Sequence, residues 1–336
     1  DRKVAKLSPS NFKISVIIPN INGRKHLEYC LPALLGQHYR SFEMVLVDNG
    51  STDDSVEFTK RNFPDVKIIA FHRNLGFAEA NNRAIQATTS PYLVTLNNDT
   101  RVEPTWLAEM VQAAEQSRDI GMVACKILYM QAPHLADSAG LAIDQVGMAW
   151  NRYNGLVDPN ETEPYEVFCP AGAAALYKRE MLDEIGLFDE RYFAYCEDMD
   201  LGWRGRLMGW RCLYVPTATV YHHHSATTGQ GSRFKRYLLT RNRIWTVLKN
   251  YPSPELWIHL PRLLFYDLTA AFYRLIKEKN LSPIQGRLAA LRQLGPMLHQ
   301  RRAIQSKRRL SSQALLALMS PSANLTSSVR VGRPSP

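Results

Sequence analysis

The chain has 336 residues, 45% of them hydrophobic and 21% charged, with a formal net charge of +10 at pH 7. That length suits one large α/β domain with an appendage, and the ordinary apolar content fits a globular protein rather than a disordered one. No run of 18 apolar residues occurs, which argues against a spanning helix. The five cysteines, Cys30, Cys125, Cys169, Cys196 and Cys212, are scattered and lack CxxC spacing; they point away from a zinc site and toward reduced thiols in a cytoplasmic setting.

Residues 1–12 read as an N-terminal extension that begins at Asp1, with neither a Met nor an apolar signal segment. Short β-branched runs follow: Ile14–Pro19, Glu43–Val47, Val66–Ala70 and Pro91–Leu96. Amphipathic stretches at 23–37, 53–62, 76–89 and 104–117 separate them, with an expected Asp54/Glu57 capping box and Pro104 in a first turn. This alternation predicts a parallel sheet covered on both faces. Ligands of such sheets sit beyond the carboxyl ends of the strands. There the sequence places Pro19-Asn20-Ile21-Asn22-Gly23, Asp48-Asn49-Gly50-Ser51 and Asn97-Asn98-Asp99.

Residues 124–168 read as short strands and a substrate loop. Ala171–Tyr177 predicts a buried strand of small residues that lets a ligand or backbone approach. Helices are expected at about 179–186 and 198–208, and a strand at Leu213–Val215. After Gly231 the character changes. From Arg233 to Arg309 there are 17 Lys/Arg against 3 Asp/Glu, which suggests an anionic partner. Residues 233–250, 255–276 and 284–310 read as basic amphipathic helices. An apolar face with Trp257, Leu264, Phe265 and Phe272 beside Lys/Arg suits an interfacial membrane helix; a bundle packed on the main domain is the alternative. A non-enzymatic basic protein that binds membrane or nucleic acid is the rival reading, although no nucleic-acid reader motif is present. Residues 311–336, rich in Ser and Pro, are expected to be disordered.

Three polar stations, at Leu96–Thr100, Tyr195–Arg204 and Tyr221–Ser225, are candidates for the chemistry, with further polar residues after other strands. Asp48 follows a strand directly, where a carboxylate can accept hydrogen bonds from a base or ribose, or close an Asx turn. Asp99 offers an oxygen ligand for Mg²⁺ or Mn²⁺, with Asn97 a carbonyl ligand or ribose contact, or the segment is a plain turn. Glu197 and Asp198 open a helix, where one can take a proton from a hydroxyl and the other can pair or cap; Asp198 is the choice for the base. Asp200 and Arg204 are spaced for a structural pair. In Tyr221–His224, His222 and His224 share one face of a strand, and imidazole beside carboxylate and phosphate oxygens suits Mn²⁺. His72–Phe77 joins strand to helix, where Arg73 and backbone N–H groups can face a pyrophosphate.

Read together, SVIIPNING, VLVDNGSTDDS, RNLGFAEANN, LVTLNNDT, CPAGAAALYKREMLDEIGLFDERYFAYCEDMDLGWR and HHHSATTG make the chain resemble the family-2 glycosyltransferases of the GT-A fold, most of all the bacterial rhamnosyltransferase type, from about Ile14 to Tyr251. The resemblance implies a GT-A domain at 13–232 and a helical C-terminal extension at 233–310. It implies an inverting transfer, with rhamnose from dTDP-rhamnose leading and UDP-linked hexoses or galactofuranose open, to a glycan or polyprenyl-linked acceptor at the inner face of the cell membrane. Asp48 matches the base-binding aspartate. Pro19, Asn22, Arg73, Gly76, Asn81, Asn97 and Asn98 are the further donor contacts. Asp99 and His222, with His224 as its rival, match the metal ligands for Mg²⁺ or Mn²⁺. Asp198 matches the catalytic base with Glu197 in support, and Gly172, Trp203 and Arg204 are the acceptor candidates. Asn97 stands where the full DXD pattern has an acid, which leaves the metal few protein ligands.

Overall fold

The computed structural model describes residues 13–223 and 232–320. Its first half alternates as the sequence requires: β1 (Ile14–Asn20), α1 (Arg24–Leu35), β2 (Phe42–Asn49), α2 (Ser55–Asn62), β3 (Lys67–Phe71), α3 (Gly76–Ala87) and β4 (Tyr92–Leu96). β5 (Thr100–Val102) and α4 (Trp106–Glu115) follow, then β6 (Ile120–Tyr129), β7 (Ala132–Ser138), β8 (Leu141–Ile143), β9 (Ala149–Asn151), β10 (Tyr165–Val167) and β11 (Ala174–Lys178). The chain continues through α5 (Arg179–Ile185), α6 (Glu197–Leu207), β12 (Arg211–His222), α7 (Arg233–Asn250), α8 (Glu255–Glu278), α9 (Ser282–Arg292), α10 (Leu294–Lys307) and α11 (Ser312–Leu318).

The central sheet runs β10-β12-β6-β11-β4-β1-β2-β3, with β5 on β12 and β7 on β6. It is parallel through β3, β2, β1 and β4, as the apolar runs predict. Both faces of those strands are covered, so Val16, Ile17, Ile18, Val45 and Leu46 are wholly buried. β11 then inserts antiparallel between β4 and β6. That strand brings the small residues of 171–175 to the middle of the sheet, beside the end of β4.

Several local expectations change. Asp54 makes no side-chain cap; Asp53 Oδ1 instead accepts from the Ser55 N–H at 3.1 Å. Pro104 lies outside α4, which starts at Trp106. The stretch 124–168 forms the end of β6, the β6–β7 hairpin, the β8–β9 pair and β10. Part of the expected disordered tail is ordered, since Ser311 Oγ caps α11 at 3.1 Å and Leu315 is buried.

The basic region is not one uniform appendage. α7 buries Leu238, Asn242, Trp245, Thr246, Lys249 and Asn250, and it is tied to α6. Fully buried Asp200 receives Arg204 Nε at 2.9 Å, Lys249 Nζ at 2.9 Å and Asn250 Nδ2 at 2.8 Å. α8 does present its apolar side outward: Trp257, Ile258, Phe265, Leu268, Phe272 and Ile276 are each more than half exposed. No described helix is long and apolar enough to cross a membrane.

Candidate active site

The carboxyl ends of β1, β2 and β4 converge on one polar cluster. Asn20, at the end of β1, is buried; its Nδ2 donates to Asp48 Oδ1 at 3.1 Å, and its Oδ1 accepts from Asn98 Nδ2 at 2.6 Å. A single amide therefore joins three strand ends. Gly23 is required beside it, because a Cβ there would collide with Asn98 Nδ2 and Asn20 Oδ1.

Asp48 is buried and closes its own turn: the Ser51 hydroxyl donates to Oδ1 and the Ser51 N–H to Oδ2 at 3.1 Å. This is the Asx-turn alternative raised by the sequence, and it leaves only spare lone pairs for a base. Asn22 ties the same two loops, with Oδ1 accepting from the Thr52 N–H at 2.7 Å. Arg73 is exposed on the rim, against which Gly50 packs closely. Gly76 abuts Phe193. Pro19 is half-buried within β1. Asn81 is a correction to its donor role: it is fully buried in α3, its Nδ2 returns to Phe77 O at 2.8 Å, and no surface is left for a ligand.

The Asp99 station closes onto β12. His222 Nε2 lies 3.2 Å from Asp99 Oδ1 and 3.4 Å from Asn97 Nδ2, while His222 Nδ1 lies 2.7 Å from Asp137 Oδ2. Burial alone would lower the imidazole, but its hydrogen bonds to Asp137 and Asp99 outweigh that and push it up to about 10. Burial likewise opposes ionisation of Asp99, yet His222 and His26 hold its carboxyl below the usual range. Of the histidine run, His222 points inward and His223 is exposed, as strand alternation predicts. His224 lies outside the described residues.

Asp137 and His26 were not among the sequence candidates. Asp137 comes from the β6–β7 hairpin and is itself held by Asn154 Nδ2 at 3.2 Å. His26 sits in α1 against the His223 ring, with centroids 5.7 Å apart. Neither carries a local motif; only tertiary structure brings them to Asp99.

A carboxylate and an imidazole fit a divalent cation of the Mg²⁺ or Mn²⁺ type, provided the cation takes the place of the Nε2 proton that Asp99 holds in its absence. Asp137 fixes Nδ1 of His222 and so aims Nε2 at Asp99, the usual orientation of a metal-binding imidazole. Among the described residues no three or more His, Cys, Asp or Glu side chains converge as a metal centre. The set therefore suits a cation whose shell is completed by phosphate oxygens and water.

Asp198 stands beside this station. The Asn97 N–H donates to Ala173 O at 2.8 Å, and the neighbouring Gly172 N–H donates to Asp198 Oδ2 at 2.8 Å. The Met199 N–H holds Oδ1 at 2.8 Å. A side chain at 172 would press on the Asp198 carboxyl, so the small residue there is explained by approach of this carboxylate. Burial raises the Asp198 pKa against those backbone donors. Glu197 is pushed up further by burial and then by the Asp198 charge, and its Oε2 is buried without a hydrogen bond. A half-buried carboxylate with a raised pKa is a stronger proton acceptor than a free one.

Two acceptor candidates are corrected. Trp203 is fully buried between Phe168 and Tyr251, with ring centroids 5.8 and 5.7 Å away. Arg204 is spent on Asp200 and on the carbonyls of Ile185, Gly186 and Leu187. Both face away from solvent because α6 is buried along almost its whole length.

The profile described as "Glycosyl transferase family 2" matches residues 15–186. The N-acetylglucosaminyl-diphospho-decaprenol L-rhamnosyltransferase of Mycobacterium tuberculosis is 30% identical over 229 residues, which are 61% of this chain and 74% of that protein. The O-antigen biosynthesis protein RfbC of Myxococcus xanthus is 27% identical over 226 residues, 64% of this chain but only 18% of RfbC. In three dimensions the chain is similar to GalNAc-T7, whose crystal structure holds UDP, GalNAc and Mn²⁺, with a TM-score of 0.61 and 21% identity over 75% of this chain. The chain spans 50% of that structure's length. The shared architecture is the GT-A fold.

Proposed function

The chain belongs to glycosyl transferase family 2, and on that premise we propose that it moves rhamnose from dTDP-rhamnose to a hydroxyl of a lipid-linked or cell-envelope glycan, with inversion. The observation that carries this reading is the pairing of Asp99 and His222 at 3.2 Å, with Asp198 presented one strand away across Gly172. The sugar and the lipid-linked acceptor are suggested by the mycobacterial relative's name.

The strand-end loops receive the nucleotide and exposed Arg73 meets the diphosphate. A Mg²⁺ or Mn²⁺ ion held by Asp99 and His222 would offset charge on the departing nucleoside diphosphate. Asp198 accepts the proton of the acceptor hydroxyl as that oxygen attacks the anomeric carbon from the opposite face. The backbone N–H groups of Gly172 and Met199 fix both carboxyl oxygens of Asp198, so its orientation is set before the acceptor arrives. Glu197 lies buried behind it.

The exposed apolar side of α8, flanked by basic residues, supports peripheral docking on an anionic membrane, where a polyprenyl-linked acceptor resides. The test is incubation with dTDP-rhamnose and a polyprenyl-diphosphate-linked N-acetylglucosamine in Mn²⁺ or Mg²⁺ buffer. Release of dTDP with an inverted rhamnosyl product supports the reading. Turnover with UDP-linked hexoses instead moves the donor to that class, and a retained configuration rejects Asp198 as base in a single displacement.

A further inference from the structure

The loop that delivers Glu197 and Asp198 is conformationally unusual. Phe193, Tyr195 and Cys196 have φ of 65°, 71° and 66°, so three non-glycine residues within four positions occupy the left-handed region. Side chains disfavour that region, and such conformations persist only when surrounding contacts impose them. One side of the loop leans on the start of α3, where the Ala78 N–H donates to Phe193 O at 3.2 Å.

The other side is held from α7, where one amide makes most of the backbone contacts. Asn242, fully buried in α7, donates from Nδ2 to Tyr192 O at 3.0 Å, Ala194 O at 2.9 Å and Tyr195 O at 2.7 Å. Two N–H bonds serve three carbonyls, so one is shared. Arg241 fixes the amide's orientation by donating from Nε to Asn242 Oδ1 at 2.9 Å, and its Nη2 adds Arg191 O at 3.0 Å and Tyr192 O at 2.9 Å. All five of these contacts go to backbone oxygens and so hold the path of the loop, while its side chains pack separately, Phe193 against Phe234 and Tyr192 against Trp245 and Thr246.

We propose that Asn242 is a positioning residue: its amide clamps the left-handed loop 192–196 and thereby sets Asp198 against Gly172. The clamp makes α7 part of the catalytic apparatus. It acts on the transfer step through Asp198 and leaves nucleotide binding, which lies at the ends of β1, β2 and β4, alone. The kinetic part rests on reading Asp198 as the base; the clamp itself does not.

The experiment compares the full chain with Asn242→Asp, which keeps the shape and removes the donors, and with Arg241→Ala, which removes the outer contacts and the bond that orients the Asn242 amide. Deuterium exchange over peptides 191–199 is measured with dTDP and Mn²⁺ binding and with dTDP release from dTDP-rhamnose. The expected result is faster exchange confined to 191–199, nucleotide affinity within about twofold, and kcat lower by about 10²-fold for a displaced catalytic group, with a smaller change in the same direction for Arg241→Ala. Unchanged exchange at 191–199 in either folded variant overturns the clamp. Should Asn242→Asp not fold, Arg241→Ala decides alone. Asp198→Asn in the same assay separates the two ideas: if it turns over normally while 191–199 loosens in the clamp variants, the base assignment fails and the clamp stands.

Discussion

Asp198 and Asp200 stand two residues apart on α6 and are predicted to fail in opposite ways. Asp200 is fully buried and neutralises Lys249 and Arg204, themselves buried. Burial opposes its charge, but Lys249 and Arg204 prevail and hold it at about 2, below the ordinary 3.8 of an aspartate. That depression corresponds to about 2 kcal/mol of stability. It is present above the unfolded value near 4 and lost as pH falls through about 2. Replacing Asp200 by Asn goes further, because it leaves two buried cations with too little counter-charge; Asp189, at 2.8 Å from Lys249 Nζ, compensates only in part. A broken buried network of this kind costs about 3–5 kcal/mol. At about 2.1 cal/mol/K per residue of unfolding entropy, that lowers Tm by about 4–7 °C for a chain of this length. Asp198→Asn loses only one of two backbone contacts on a half-buried group, so Tm stays within about 2 °C while transfer falls by at least about 10²-fold. Scanning calorimetry and donor turnover on both variants check the pair. If Asp200→Asn melts with the wild type, or Asp198→Asn transfers normally, the division of labour along α6 is wrong.

Asp137→Asn, which leaves His222 Nδ1 without its carboxylate, is expected to weaken Mn²⁺-dependent nucleotide binding about 10–100-fold while metal-free binding is unchanged; titration calorimetry reads both. Gly23→Ala should separate Asn20 from Asn98 and abolish donor binding in a protein that still folds, as judged by circular dichroism alongside the titration. Replacing Trp257, Phe265 and Phe272 together by Ser should release the chain from anionic liposomes in a flotation assay without slowing dTDP release from dTDP-rhamnose; retained flotation would move the membrane contact elsewhere.

The parallel half of the sheet was legible because its strands are apolar runs with polar ends and its helices carry a clear stripe. Asp48 and Asp99 stood out as candidates at the polar ends of β2 and β4, and Asp198 in the acidic opening of α6. Asp137 did not: it lies on β7, which pairs antiparallel with β6 through two register shifts, so no period announces which residue of the hairpin turns toward His222. α7 was expected as a helix over 233–250 and is one, but which way it packs was left open. Its buried face carries Asn242, Thr246, Lys249 and Asn250, polar residues that composition assigns to solvent and that only their partners on the 192–200 segment explain. Trp203 and Arg204 followed the acidic pair closely enough to be taken for acceptor contacts, but α6 is buried on nearly all sides and turns them into the core.

The central claim, a metal-assisted nucleotide-sugar site built on Asp99 and His222 beside Asp198, is tested most directly by calorimetric titration of the chain with dTDP, UDP and GDP, each with and without Mn²⁺, in parallel with Asp99→Ala. The account predicts that one nucleotide, dTDP, binds tightly only with Mn²⁺ and that Asp99→Ala removes the metal's contribution. Binding that ignores Mn²⁺ and survives Asp99→Ala would contradict it.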